Sequence, residues 1–221
     1  MKEYEKYLEE GKSLLESRRY SEALRKLNKS ININHNCAEA YCKRGIALKK
    51  LNKYNYALQD FDKAISLDPN LGETYFEKGI LLKKFGHSNI NEYLDLAIEK
   101  DPKLGKAYSY RGMYYFNTGK YEKAYDDINK ALELPGASPK LYYYRGLILY
   151  FRGDIENSFK DFNKAIELDP KWYEPYRARA VCYSKKGQIE LAVRDIEVYN
   201  RSKITSRSDY PWRQKHYSRP Y

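Results

Sequence analysis

Between residues 38 and 71 apolar side chains recur at three- and four-residue intervals in two runs: Tyr41, Ile46 and Leu48, then Ala57, Phe61, Ala64 and Ile65. That spacing keeps one face of a 3.6-residue helix apolar, so each run predicts an amphipathic helix. The pattern returns along the chain. An aromatic residue stands four positions before a glycine or alanine at Tyr7/Gly11, Tyr41/Gly45, Tyr75/Gly79, Tyr108/Gly112, Tyr142/Gly146 and Tyr176/Ala180, with successive spacings of 34, 34, 33, 34 and 34. A fixed period of this size predicts stacked copies of one supersecondary unit with a long surface, in place of a single pocket around a catalytic centre. Each unit reads as two helices of about 14 residues joined by a short turn.

Aligned on the glycine, the units span 4–37, 38–71, 72–104, 105–138, 139–172 and 173–206, and a tail follows from Arg207. Gly86, Gly119, Gly153 and Gly187 fall between the two helices of their units, where a residue comfortable at positive φ ends the first helix. Asp68-Pro69, Asp101-Pro102 and Asp169-Pro170 close units, because proline drives its predecessor out of the α region. Ser138-Pro139 predicts a capped helix start. Gly45 and its equivalents, facing Ala23, Ala57, Ala124 and Ala192, predict close approach of the paired helices. Unit three lacks one residue between Gly86 and Ile90, so its second helix is expected out of step, with a local change of superhelical pitch.

The recurring order of aromatic, glycine, turn, alanine, large apolar residue, alanine and proline resembles the tetratricopeptide repeat. Unit two carries it most fully, in Tyr41, Gly45, Leu48, Tyr54, Ala57, Phe61, Ala64 and Pro69. Ser30 and His35 in unit one, Gly136 in unit four and Ala180, Tyr199 and Ile204 in unit six depart from it. The resemblance implies an all-α fold, a right-handed superhelical α-solenoid of about six helix-turn-helix repeats.

Arg44/Asp60, Arg111/Asp127, Arg145/Asp161 and Arg179/Asp195 are pairs at positions i and i+16, one member on each helix of a unit, and Glu10/Lys26 reverses the signs in unit one. Opposite charge kept through a reversal predicts an ion pair within the repeat that fixes register.

By resemblance to the family, the first helices line an inner, concave surface that holds a partner's peptide or helix. The positions so implied include Lys49 and Lys83 in units two and three, Tyr110, Met113 and Phe116 in unit four, and Tyr143, Tyr144, Leu147, Tyr150 and Phe151 in unit five, with Arg177, Val181 and Ser184 in unit six. Aromatics and methionine are the usual anchors of protein interfaces, and units four and five hold more of them than the fold requires. The expected partner places apolar anchors there and acidic residues towards the lysines. Some family members hold the C-terminal carboxylate of heat-shock chaperones with lysine, asparagine, asparagine, lysine and arginine. Units one to three present Leu8, Lys12, Lys43, Glu73 and Glu77 instead, and no other frame restores the clamp.

The 221 residues are 42% hydrophobic and 32% charged, with no apolar run near the roughly 20 residues of a membrane span. The first residues lack the apolar stretch of a secretory signal, and Cys37, Cys42 and Cys182 do not form a disulfide framework, so a reducing, cytoplasmic setting is expected. Of the net +11 charge, a large share lies beyond Asn200, where six cations face Asp209 alone. With Tyr210, Trp212, Tyr217 and Tyr221 interleaved, that tail is the alternative site of contact, with RNA or an acidic protein. No nucleophile elbow, phosphate-binding loop, dinucleotide fingerprint or zinc-protease motif occurs. The reading is a non-enzymatic adaptor with a protein partner, no cofactor, no metal and no membrane contact, monomeric or weakly self-associating.

Overall fold

In the computed structural model, which describes residues 1–87 and 89–208, the chain forms α1 (Glu3–Glu16), α2 (Tyr20–Ile33), α3 (Ala38–Lys50), α4 (Tyr54–Leu67), α5 (Gly72–Lys84), α6 (Ile90–Lys100), α7 (Gly105–Asn117), α8 (Tyr121–Glu133), α9 (Pro139–Phe151), α10 (Ile155–Leu168), α11 (Glu174–Lys185) and α12 (Ile189–Ser208), with no strand among the described residues. The residues fall into two compact units, Met1–Arg111 and Gly112–Tyr221. The basic, aromatic segment from Asp209 lies outside the described residues.

Every hairpin turn is built alike. The residue seven places after the packing glycine or alanine has positive φ: Arg18 (58°), Asn52 (61°), Gly86 (84°), Gly119 (74°), Gly153 (84°) and Gly187 (72°). The next amide then reaches back to close the first helix, as in Lys53 N to Leu48 O at 2.9 Å and Asp154 N to Leu149 O at 2.9 Å. The sequence announced four of these turns through glycine; asparagine tolerates the left-handed region, and Arg18 occupies it at a cost of about 1–2 kcal/mol. Ser138 does stand at the start of α9 with proline behind it, but its hydroxyl caps nothing. Asp68, Asp101 and Asp169 accept from the amides of Asn70, Lys103 and Lys171, at 2.9, 3.0 and 3.2 Å, bending the chain into the next helix.

Small residues set the spacing inside each hairpin. A Cβ on Gly45 would lie 2.6 Å from the Phe61 ring, one on Gly146 2.7 Å from the Phe162 ring, and one on Gly11 2.7 Å from Leu27. All three partners are buried, and each stands at the sixteenth position after its glycine. In unit three the neighbour of Gly79 is instead Tyr93, at the fourteenth position after it. The missing residue has moved α6 out of step, and α6 is also short at 11 residues.

The predicted ion pairs include three forked arginines. Arg44, Arg145 and Arg179 each grip their aspartate with Nε and Nη2, at 2.7–2.8 Å, and the aspartates are buried. Each arginine also donates Nη1 to an asparagine of the preceding hairpin: Asn28, Asn129 and Asn163, at 2.9, 2.9 and 2.8 Å. The reversed pair forms as well, with Lys26 Nζ 2.5 Å from Glu10 Oε2. Arg111 donates to Asp95, on the preceding helix, at 2.6 Å, and Lys78 to Asp62 at 2.5 Å. The shifted α6 brings the Tyr93 ring to 5.6 Å from Lys78, and the carboxylate comes from the earlier hairpin.

Candidate functional site

In the second unit, successive first helices α9 and α11 lie side by side. The run Tyr142–Phe151 has its small and branched members, Gly146, Ile148 and Leu149, turned into the core, which leaves Tyr143, Leu147, Tyr150 and Phe151 along the opposite stripe. These four meet Arg177, Ala178 and Val181 of α11 across a cleft of about 130 Å³ floored by Phe162. That volume is well below the roughly 300–1,000 Å³ of small-molecule pockets. It is the size of one bulky side chain.

Rings continue the apolar surface on either side. Tyr143 meets Trp172 and Tyr144 edge-on, at 4.9 and 5.6 Å, and lies tilted against Phe162 at 6.0 Å. Tyr144 meets Phe116 at 5.0 Å, Phe116 meets Tyr121 at 5.5 Å, and Tyr121 stacks on Phe151 at 6.0 Å. Tyr150 lies 5.9 Å from Phe151. Aromatic pairs in such edge and offset geometries contribute about 0.5–1.5 kcal/mol beyond burial. Phe151 is nonetheless 64% exposed, and Val181 and Tyr121 are exposed beside it.

Burial pushes the Tyr143 phenol above its ordinary value, opposed by the positive charge of Arg177. The hydroxyl therefore stays neutral at physiological pH and can only exchange hydrogen bonds. Nothing in the cleft is an activated nucleophile, and among the described residues no three His, Cys, Asp or Glu side chains are grouped to hold a metal.

The sequence-derived residues thus divide. Tyr143, Leu147, Tyr150 and Phe151 line one cleft, Phe116 and Tyr144 join them through ring contacts, and Met113 is half-buried on α7. Trp172, Phe162 and Tyr121 belong to the same surface and sit at turn or second-helix positions, where the first-helix rule does not look.

The first unit is different in kind. Tyr110 meets Phe76 edge-on at 5.3 Å, and Lys106 Nζ lies 5.0 Å from the Phe76 ring. Lys83 is exposed at the end of α5. Lys49 is ion-paired with Glu77, while Glu73 holds Lys43 at 2.5 Å and Lys106 at 2.7 Å. Burial pushes the Glu73 carboxyl up, but Lys106 and Lys43 outweigh it and hold it below its ordinary 4.5. The protein's own Glu77 thus occupies the cation that the sequence offered to an acidic partner at Lys49.

Two models of the tetratricopeptide repeat match the chain, one over residues 38–71 and 139–171 and the other over 105–134. The chain thus carries tetratricopeptide repeats over those residues, in an all-α array of helical repeats. Solved structures share the fold. YrrB, described as a TPR protein with an unusual peptide-binding site, is 21% identical with a TM-score of 0.64, over 78% of this chain and 90% of that one. The APC/C hetero-tetramer Cut9–Hcn1 gives 18% and 0.68 over 89% of this chain, which spans only 39% of that one. The C-terminal part of a TPR protein from Cytophaga hutchinsonii gives 22% and 0.60, over 90% and 80%. Among curated proteins, none matches the sequence. Arrays of this kind are in general protein–protein interaction scaffolds and not enzymes. Among the described residues no helix is long and apolar enough to cross a membrane.

Proposed function

We propose that this chain is an adaptor that captures an apolar segment of a partner protein on the aromatic surface of α9 and α11. The observation that carries the reading is the cleft at Phe151. A large apolar ring stands open to solvent beside a recess sized for one side chain, in a continuous run of aromatic contacts. Buried aromatic anchors surrounded by an apolar rim carry most of the energy of protein interfaces. The polar network of Glu73, Glu77, Lys43, Lys49 and Lys106 gives the first unit a mainly structural role. Free thiols at Cys37, Cys42 and Cys182 agree with work in a reducing compartment.

Selection from a display library of random dodecapeptides tests the reading. Wild-type protein is expected to enrich peptides bearing Leu, Met or an aromatic residue, and Phe151→Ser to lose that enrichment while keeping its helical circular-dichroism spectrum. Equal enrichment by both proteins would overturn it.

A further inference from the structure

Arg177 differs from the arginines around it. Arg145 and Arg179 are forked onto aspartates, and Arg152 is paired with Glu122. Arg177 is exposed on the wall of the cleft, its guanidinium 5.6 Å from the Tyr199 ring, and among the described residues it makes no ion pair, not even with Glu174 one turn earlier. Its charge acts on Tyr143 across the cleft. Glu174 acts on the same hydroxyl with opposite sign but does not pair with the guanidinium, so a cation beside an apolar recess remains complementary to a ligand that supplies a carboxylate.

Spacing narrows the ligand further. Arg177 and Val181 are four positions apart on one helix face, a rise of about 6 Å. In an extended peptide, residues two apart point the same way and lie about 6.6 Å apart. The cleft has walls on α9 and α11, and Phe151 and Val181 remain exposed along it, so a segment can run on in both directions.

We infer that the cleft recognises an internal, extended partner segment with a bulky apolar residue seated against Leu147, Phe151 and Val181 and an Asp or Glu two positions away, paired with Arg177. This rests on the proposed use of the cleft and adds its sequence preference. The charge-bearing contact belongs to α11, in place of the lysines of α3 and α5.

The same dodecapeptide library, selected against wild type, Arg177→Gln, Arg177→Glu and Val181→Ser, tests it. Wild type is expected to enrich an apolar residue with an acidic residue two positions away. Arg177→Gln keeps the apolar preference and loses the acidic one, and Arg177→Glu exchanges it for Lys or Arg. For a synthetic peptide of the enriched sequence, with both ends blocked, Arg177→Gln weakens binding about two- to five-fold and leaves the Asn or Gln analogue unaffected. An acidic preference unchanged in Arg177→Gln, or absent in wild type, or confined to the peptide C-terminus, overturns the inference and leaves the cleft standing if Val181→Ser abolishes selection. Selection intact in Val181→Ser, or no enrichment by wild type, overturns the use of the cleft as well.

Discussion

Arg145 of α9 ties two hairpins together: its Nη1 reaches Asn129 of α8 at 2.9 Å, while Nε and Nη2 fork onto Asp161 of α10 at 2.8 Å. The same three-residue staple recurs at Asn28–Arg44–Asp60 and Asn163–Arg179–Asp195. Planar bidentate geometry needs arginine, since lysine is a point charge. Arg145→Ala, which strands the buried Asp161, is expected to cost about 2–3 kcal/mol, discounted from a fully buried pair because the guanidinium is partly exposed. Asn129→Ala removes one bond and should cost about 1 kcal/mol. Urea unfolding of the two variants checks the order; equal losses would contradict the staple.

Glycine at the helix contacts should divide by what it faces. A Cβ on Gly146 meets the edge of the Phe162 ring at 2.7 Å, whereas one on Gly72 meets backbone, the Ala97 carbonyl oxygen at 2.7 Å and the Asp101 amide at 2.9 Å. A ring can turn, and backbone must shift with its helix. Gly146→Ala is expected to cost about 1–3 kcal/mol and Gly72→Ala at least as much. Thermal denaturation ranks them, and a harmless Gly72→Ala would refute the close approach.

The carboxylate network of the first unit predicts a pH response. Since Glu73 is held below its ordinary 4.5, it contributes stability that is complete above that value and is lost as pH falls through the folded value. Burial pulls the Lys106 ammonium down, but Glu73 and Glu77 outweigh it and leave it above its ordinary 10.5; its contribution is complete below that pH and is lost at higher alkalinity. Glu73→Gln should therefore flatten the decline in stability below about pH 4.5, read by urea midpoints from pH 7 to 3. An unchanged acid limb would exclude Glu73 from the network.

The helices were readable because their determinants are local: a 3.6-residue period, a glycine where two helices touch, a turn residue seven places later. The Arg145–Asp161 pair was readable for the same reason, through a constant spacing of 16. Asn129 was not, because its partner lies in the next hairpin and asparagine has no charge to correlate. The turns at Arg18 and Asn52 were hidden by the absence of glycine. At the site, first-helix spacing found Tyr143, Leu147, Tyr150 and Phe151. It missed Trp172 and Tyr121, which reach the same surface from a turn and from the start of a second helix, and it took Lys49 as available when Glu77, on the next first helix, already holds it.

Tyr143 and Phe151 should separate stability from recognition. Tyr143 packs against Phe162 and Trp172, so Tyr143→Ala is expected to destabilise the fold by about 1–3 kcal/mol. Phe151 is mostly exposed, so Phe151→Ser should change stability by no more than about 1 kcal/mol and still abolish peptide capture. Chemical denaturation beside peptide titration distinguishes the two; capture undiminished in a folded Phe151→Ser protein would remove this residue from the interface.

The most direct measurement is site-specific photo-cross-linking with p-benzoylphenylalanine placed at Phe151, at Val181 and at Tyr56, an exposed aromatic of the first unit, using a synthetic peptide enriched from the display library. Adducts at positions 151 and 181, and none at 56, are the predicted result. Adducts at 56, with none at 151 or 181, would contradict the account.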